Sequence, residues 1–287
     1  MEYMEQQEKG MLYLCATPIG NLEDITYRVL RTLKEVDLIA AEDTRNRIKL
    51  LNHFEIDTPM TSYHEYNKYD KADYLVQQML AGKKIACITD AGTPGISDPG
   101  EELVKKCYEA GIPVTSLPGP AACVTALTMS GLSTRRFCFE AFLPADKKER
   151  REILEELKRE TRTIIVYEAP HHLVKTLEQL YEALGDRKIS VCRELTKRYE
   201  TVFRSTLAEA LAYYQANDPK GECVMVIEGL DPKQVKADAQ KAWEEISLEE
   251  HMKQYEDQGI DRKEAMKLVA KDRGISKRDV YQALNKG

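Results

Sequence analysis

The chain has 287 residues, 43% of them hydrophobic and 31% charged, with a formal net charge of −6. This length suits one large domain or two small ones, with a core that needs no disulfide or metal staple. The composition excludes fibrous and low-complexity classes, and no apolar run of about 18 residues reads as a membrane span.

The opening residues 1–10, "MEYMEQQEKG", are polar and lack an apolar signal core, so they read as a disordered leader. From Met11 strand and helix patterns alternate. "MLYLCA" reads as a buried strand, "DITYRVLRTL" as a helix from Asp24 to Leu33, "DLIAA" as a strand and "TRNRIKLLNHF" as an amphipathic helix. "KADYLVQQMLAG" is a helix ending at Gly82, followed by the strand "KIACIT". "GEELVKKCYEAG", "IPVTSL" and the small-residue helix "PAACVTALTMSG" complete a first αβ unit over 11–133, which predicts an α/β layer with a largely parallel sheet. A second αβ unit spans 134–230, with the boundary near Ser133 to Phe137. Residues 231–240, "DPKQVKADAQ", read as a linker, and 241–287 as a helical tail.

Seven scattered cysteines without a Cys-x-x-Cys pair read as buried apolar residues of a reducing, cytoplasmic compartment. No spacing demands a metal. Charge is uneven: Gln258–Gly287 holds eight Lys/Arg and four Asp/Glu, which leaves +4 on the tail and −10 on the rest. A basic tail on an acidic body fits either a polyanion grip or ordinary solvated charge.

Three bent loops stand out. "TDAGTPGISDPG" follows one strand, and Gly92, Gly95 and Gly100 permit conformations that other residues resist. "TPIGN" follows the first strand and "PGPAA" another. In a parallel sheet their strand ends share one edge, the place where open α/β sheets bind ligands. Each loop alone also fits a structural turn. Neither G-x-x-x-x-G-K-[ST] nor G-x-G-x-x-G occurs, so neither nucleotide fingerprint is supported.

"MLYLCATPIGNLEDIT", "AEDTR", "ITDAGTPGISDPG" and "LPGPAACVTAL" resemble the tetrapyrrole-methylase-like superfamily of S-adenosylmethionine methyltransferases. "YEAPHHL" and "CRELTKRYE" add similarity to its RsmI branch, which 2′-O-methylates a cytidine in the decoding centre of bacterial 16S ribosomal RNA. Relatives acting on small molecules usually carry Gly-Asp-Pro where this chain has Gly92-Thr93-Pro94. The resemblance implies a two-lobed fold with S-adenosylmethionine in the cleft and a homodimer. It also implies 16S rRNA, within the 30S subunit, as partner. Carried over by motif, donor contacts would be Ile19, Gly20, Gly92, Thr93, Ile96, Ala121, Ala122, Glu168, Gly221 and Glu222.

Candidate catalytic carboxylates are Glu42, Asp43 and Asp98, with Arg45, Arg47 and His64 as RNA contacts. Asp43 equally fits a helix N-cap, and His64, beside Tyr63 and Tyr66, equally fits a surface loop. In the tail, Met266, Val269 and Ala270 form one helical face. Gly274 makes a turn plugged by Ile275, and Ser276 caps a second helix. This resembles a helix-turn-helix, with Arg273, Lys277, Arg278 and Lys286 exposed towards RNA; a plain helical hairpin fits the same spacing. The competing functional readings are a small-molecule methyltransferase of porphyrinoid type and a non-catalytic RNA-binding protein.

Overall fold

The computed structural model describes residues 9–284, the side chains of Asn46, Arg47, Asp238, Ala239 and Glu244 excepted. All but Lys9 and Gly10 of the expected leader, and Lys286, lie outside the described residues.

Strands β1 (Met11–Cys15), β2 (Leu38–Ala41), β3 (Met60–Ser62), β4 (Lys84–Ile88) and β5 (Val114–Leu117) form an all-parallel sheet in the order β3-β2-β4-β1-β5. Short apolar runs suit such strands because helices cover both faces. Alternate residues feed two cores. Ala40, Ile85 and Cys87 pack with Leu75 and Met79 of α3 (Lys68–Leu80) and Leu103 of α4 (Gly100–Glu109). Ile39, Ala41, Ala86 and Ile88 face the opposite way, against Val29 and Leu33 of α1 (Tyr27–Glu35) and Leu51 of α2 (Thr44–His53). Helix α1 starts later than expected: Thr26 accepts the Val29 N–H as its N-cap, and Leu22–Asp24 form a separate 3-10 turn capped by Asn21.

The second sheet has the order β6-β7-β10-β8-β9, from β6 (Phe137–Phe142), β7 (Thr163–Glu168), β8 (Lys188–Arg193), β9 (Thr201–Thr206) and β10 (Cys223–Ile227). Only the β6–β7 pair is parallel. Helices α6 (Lys147–Leu157), α7 (Pro170–Leu184) and α8 (Leu207–Ala216) cover one face, where Leu154, Leu173 and Leu177 meet Ile164, Val166 and Met225. Helix α5 (Ala122–Ser130) covers the other, with Cys123, Ala126 and Leu127 against Ile165, Cys192, Val224 and Val226. α5 therefore belongs to the second core, and the chain crosses between lobes near Pro120 rather than near Ser133.

The stretch expected as a linker is helical, a correction to the sequence reading. Asp231 accepts the Lys233 N–H and Pro232 occupies the first turn of α9 (Pro232–Glu244). Helices α10 (Leu248–Glu256), α11 (Arg262–Arg273) and α12 (Lys277–Leu284) follow, and Met252, Ala265, Val269, Ala270 and Val280 form a core of their own. Gly274 closes α11 with φ +64° and Ser276 accepts the Asp279 N–H, as expected. Ile275 does not plug the turn; it is 39% exposed. Among the described residues no helix is long and apolar enough to cross a membrane. Six of the seven cysteines are buried and all are free thiols; burial pushes the Cys15 thiol up to about 12.

Candidate functional site

The three bent loops leave β4, β1 and β5, which are neighbours in the sheet, so all three emerge on one edge. They are tied to each other. Thr17 N–H donates to Gly92 O (2.9 Å) and Gly92 N–H donates back to Thr17 O (3.0 Å), joining the first loop to the second. Thr93 Oγ1 donates to Pro120 O (2.9 Å), joining the second to the third. Gly119 sits against the first loop so closely that a Cβ there would lie 2.5 Å from the Ala16 Cβ. Gly92 has φ +84°, and a Cβ on it would lie 3.3 Å from Ile19 Cγ2 and 3.4 Å from Pro120 O. Asp98 clamps the second loop internally: both its carboxylate oxygens accept the Gly95 N–H (3.0 Å each), and Oδ1 also accepts Gly100 N–H (2.7 Å).

This loop wall faces the edge of the second sheet across a cavity of about 340 Å³. Ile19, Gly92, Thr93, Ile96, Ala121 and Ala122 line one side; Tyr167, Glu168, Leu195, Glu222 and Val224 line the other. The volume lies in the range of small-molecule sites, and the lining is mainly apolar with a few polar groups. Tyr167 ties the start of α5 to the second sheet: its hydroxyl accepts the Cys123 N–H (2.9 Å), and burial pushes its pKa upward. Phe139 and Phe142 meet its ring edge-on at 5.0 and 5.6 Å.

Of the donor contacts carried over by motif, eight line this cavity. Gly20 lines an adjoining recess instead. Gly221 faces the Glu194 carboxylate, where a Cβ would lie 2.1 Å from Oε1. Glu168 is 6% exposed, and its two oxygens accept Thr176 Oγ1 (2.6 Å) and Ala169 N–H (2.8 Å).

The carboxylates singled out from sequence are committed to holding loops. Glu42 Oε2 accepts the Thr89 hydroxyl (3.1 Å), and Asp43 caps α2 through the Arg45 N–H (2.9 Å) while pairing with the Arg45 side chain. Asp90, not singled out, stands at the carboxyl end of β4; its Oδ1 accepts the Asp43 N–H (3.3 Å).

Among the proposed RNA contacts, Arg45 is exposed, and the side chain of Arg47 lies outside the described residues. His64 meets Tyr66 edge-on at 6.1 Å, and Tyr66 is 97% exposed. Tyr63 is buried instead, its hydroxyl donating to Pro99 O (2.6 Å). Arg273 departs from expectation: it turns inward, donating to His251 Nδ1 (3.2 Å) and to the carbonyls of Ile246 (2.6 Å) and Ser247 (2.9 Å). Arg278 is exposed and Lys277 half-buried at the start of α12.

A cleft between two αβ lobes, walled by tied small-residue loops, suits a small molecule held largely by backbone and apolar groups. The profile for Tetrapyrrole (Corrin/Porphyrin) Methylases matches residues 11–211. The chain is 49% identical over 283 residues to the ribosomal RNA small subunit methyltransferase I of Halalkalibacterium halodurans, covering 97% of this chain and 96% of that protein. It is 46% identical to the protein of the same name from Bacillus subtilis, covering 99% and 97%. Among solved structures, diphthine synthase superposes with a TM-score of 0.60 at 14% identity, over 77% of this chain and 90% of that one. The chain belongs to the tetrapyrrole methylase family and, within it, to the group formed by these small-subunit methyltransferase relatives. The methyl donor of the family is S-adenosylmethionine.

Proposed function

We propose that this protein transfers a methyl group from S-adenosylmethionine to the ribosomal RNA of the small subunit, at the 2′ oxygen of a decoding-centre cytidine. The observation that carries the donor half is the tied wall of three loops facing the second sheet. The names of the relatives support the acceptor half, and the resemblance in "YEAPHHL" and "CRELTKRYE" supports the ribose position.

The residues fit a folded nucleoside with a short sulfonium arm. Gly92 leaves the space a Cβ would fill between Ile19 and Pro120, and Ala121 and Ala122 leave the third loop low. In this reading Ile19, Thr93, Ile96 and Val224 supply apolar wall and backbone groups to hold the donor. When bound, the donor supplies a methyl carbon already activated by positive sulfur. The protein then contributes chiefly alignment and exclusion of water, and well-oriented groups reach effective molarities of about 10⁵ M or more. Thr17, Gly92, Thr93 and Pro120 fix the wall through their mutual hydrogen bonds, and Asp98 keeps the second loop in shape. The basic tail, with Lys277 and Arg278 on α12, grips rRNA phosphate in this account, with α2 presenting Arg45 nearer the cleft.

The test is methyl transfer from labelled donor to 30S subunits taken from a bacterial strain lacking its own copy of this enzyme. Parallel arms contain naked 16S rRNA and a porphyrinoid. Label in the subunit or RNA arm, resistant to alkali at one cytidine, is the expected result; label only in the porphyrinoid arm contradicts the reading.

A further inference from the structure

A groove of about 970 Å³ runs between α6 and α7 and meets the donor cavity, with which it shares Phe142, Glu168 and Ala169. Arg150 fixes its shape. The guanidinium donates to Gln179 Oε1 (2.8 Å) and Thr176 Oγ1 (2.6 Å) of α7 and to the carbonyls of Leu143 (3.3 Å) and Pro144 (3.4 Å), and it lies 3.8 Å from Glu168. These bonds pin α6 to α7 and to the segment that leaves β6. A satisfied polar network of this kind is rigid, so the groove is preformed.

Charge along the groove is unbalanced. Arg150 is matched by Glu168, and Lys158 by Glu155. The remaining charged groups are Lys147, Arg151 and Lys175 against Glu182. Lys147 and Arg151 are four residues apart and share one face of α6, while Lys175 lines the groove from α7. All three cations are exposed, and none makes an ion pair or a side-chain hydrogen bond among the described residues. In a chain of net charge −6 this is a local reversal of sign, and it suits a polyanion.

An exposed ring stands where the groove joins the donor cavity. β6 is an edge strand whose register slips by one residue: Phe139 lies opposite Ile165, and Phe142 opposite Tyr167. Within this bulge Ala141 has φ +51°, in the left-handed region that L side chains avoid. In a regular strand, residues 139 and 142 would face opposite sides of the sheet. Here both rings meet Tyr167 edge-on, so the bulge brings Phe142 round to the cleft. Its ring stays 59% exposed. Backbone strain that leaves an aromatic face in water does little for packing and fits a stacking surface.

We propose that this groove seats a single-stranded segment of the acceptor RNA, with Lys147, Arg151 and Lys175 on its phosphates and Phe142 stacked on a base at the entrance of the donor cavity; the proposal rests on the rRNA-methylation reading above. The cations hold the strand without regard to sequence. The ring takes a base out of its stack beside the methyl donor, which is how proteins commonly present an unpaired nucleotide. Phe142 is thus a positioning residue for the acceptor, and the groove is a second phosphate contact, close to the transfer site, in addition to the tail.

The test uses the full-length protein with unmethylated 30S subunits and with naked 16S rRNA. Lys147→Ala/Arg151→Ala/Lys175→Ala is compared with Lys105→Ala/Lys148→Ala/Arg159→Ala, which removes the same charge from outside the groove; all six side chains are exposed, so folding is not at stake. The groove variant should raise KM for subunits about tenfold, with a smaller effect on kcat and unchanged S-adenosylhomocysteine affinity. For naked rRNA its slope of log K against log salt should fall by about 2, at about 0.7 for each of three phosphate contacts on a single strand. The control variant should move both far less. Phe142→Leu keeps an apolar side chain on the donor wall and removes the ring. Single-turnover methylation should fall about ten- to hundredfold, and Phe142→Tyr should restore it. Equal losses in the two triple variants, or an unchanged salt slope in the groove variant, overturn the phosphate seat. Phe142→Leu at the wild-type rate, or with weakened donor binding as its only defect, overturns the stacking role. A groove variant that loses subunits but binds naked rRNA like wild type would show that a ribosomal protein fills the groove, and the RNA assignment falls. Wild-type enzyme inactive on subunits and RNA but active on a porphyrinoid would instead refute the parent reading, and the two failures are distinct.

Discussion

Replacing Gly92 by alanine tests whether the loop wall is shaped for the donor. Its φ of +84° lies in the left-handed region, where an L side chain costs about 1–2 kcal/mol. The added Cβ also meets Ile19 Cγ2 at 3.3 Å and Pro120 O at 3.4 Å, so the first and third loops must each give way by a few tenths of an ångström. For a chain of this size each kcal/mol lowers Tm by about 2–4 °C, so a fall of about 2–8 °C is expected. Gly131 is the control. It caps α5 with φ +78°, and a Cβ there would meet nothing nearer than Arg204 Nε at 3.9 Å. Gly131→Ala should therefore lose a similar amount of stability and keep donor affinity. Gly92→Ala should in addition weaken S-adenosylhomocysteine binding about tenfold, or about 1.4 kcal/mol. Calorimetry of both variants decides it; equal affinities for the two, at matched stability, would refute the claim that this backbone lies against the donor.

Asp98→Ala strands the N–H groups of Gly95 and Gly100, at about 1–3 kcal/mol for each unsatisfied group. Tm and donor affinity should both drop while kcat at saturating donor stays near wild type; a selective loss of kcat would make Asp98 catalytic after all. In the tail, His251 is fully buried, stacked on Trp243 at 3.8 Å, and burial followed by the nearby Arg273 charge pulls its pKa below 6.5. A depressed histidine stabilises the fold above the unfolded pKa, and that stability is lost as pH falls below about 6.5. The fluorescence of Trp243, the chain's single tryptophan, should report the tail opening on acidification, and His251→Phe should flatten the response. A pH-independent Trp243 signal would count against it. Truncation after Leu230 removes the whole tail module, α9 included. It should weaken 30S binding about tenfold or more while leaving S-adenosylhomocysteine affinity unchanged, and retention of both would show that the tail does not grip rRNA.

The sheet and its three loops were legible because their signals are local. Buried runs such as "KIACI" and helix caps such as Ser276 act over a few residues. Parallel pairing then forces neighbouring strand ends onto one edge. β3 was missed because "MTS" is a three-residue edge strand with no apolar run. α9 was misread because its lysines and alanines look like a spacer, although Asp231-Pro232 is a helix start. The allegiance of α5 was hidden by its composition: "ACVTALTMS" has no polar face to show which sheet it buries against. Site residues were less legible than the fold. Asp98 and Arg273 are charged side chains in suggestive contexts, and the sequence gives no sign that backbone amides or carbonyls have claimed them.

The central claim is that the donor lies between the lobes, against the wall made by Thr17, Gly92, Thr93 and Pro120. A crystal structure of the protein grown with S-adenosylhomocysteine tests it most directly. The account predicts the ligand between Ile19, Gly92 and Ala121 on one side and Leu195 and Val224 on the other. A ligand bound elsewhere, or that cleft empty at saturating concentration, would contradict it.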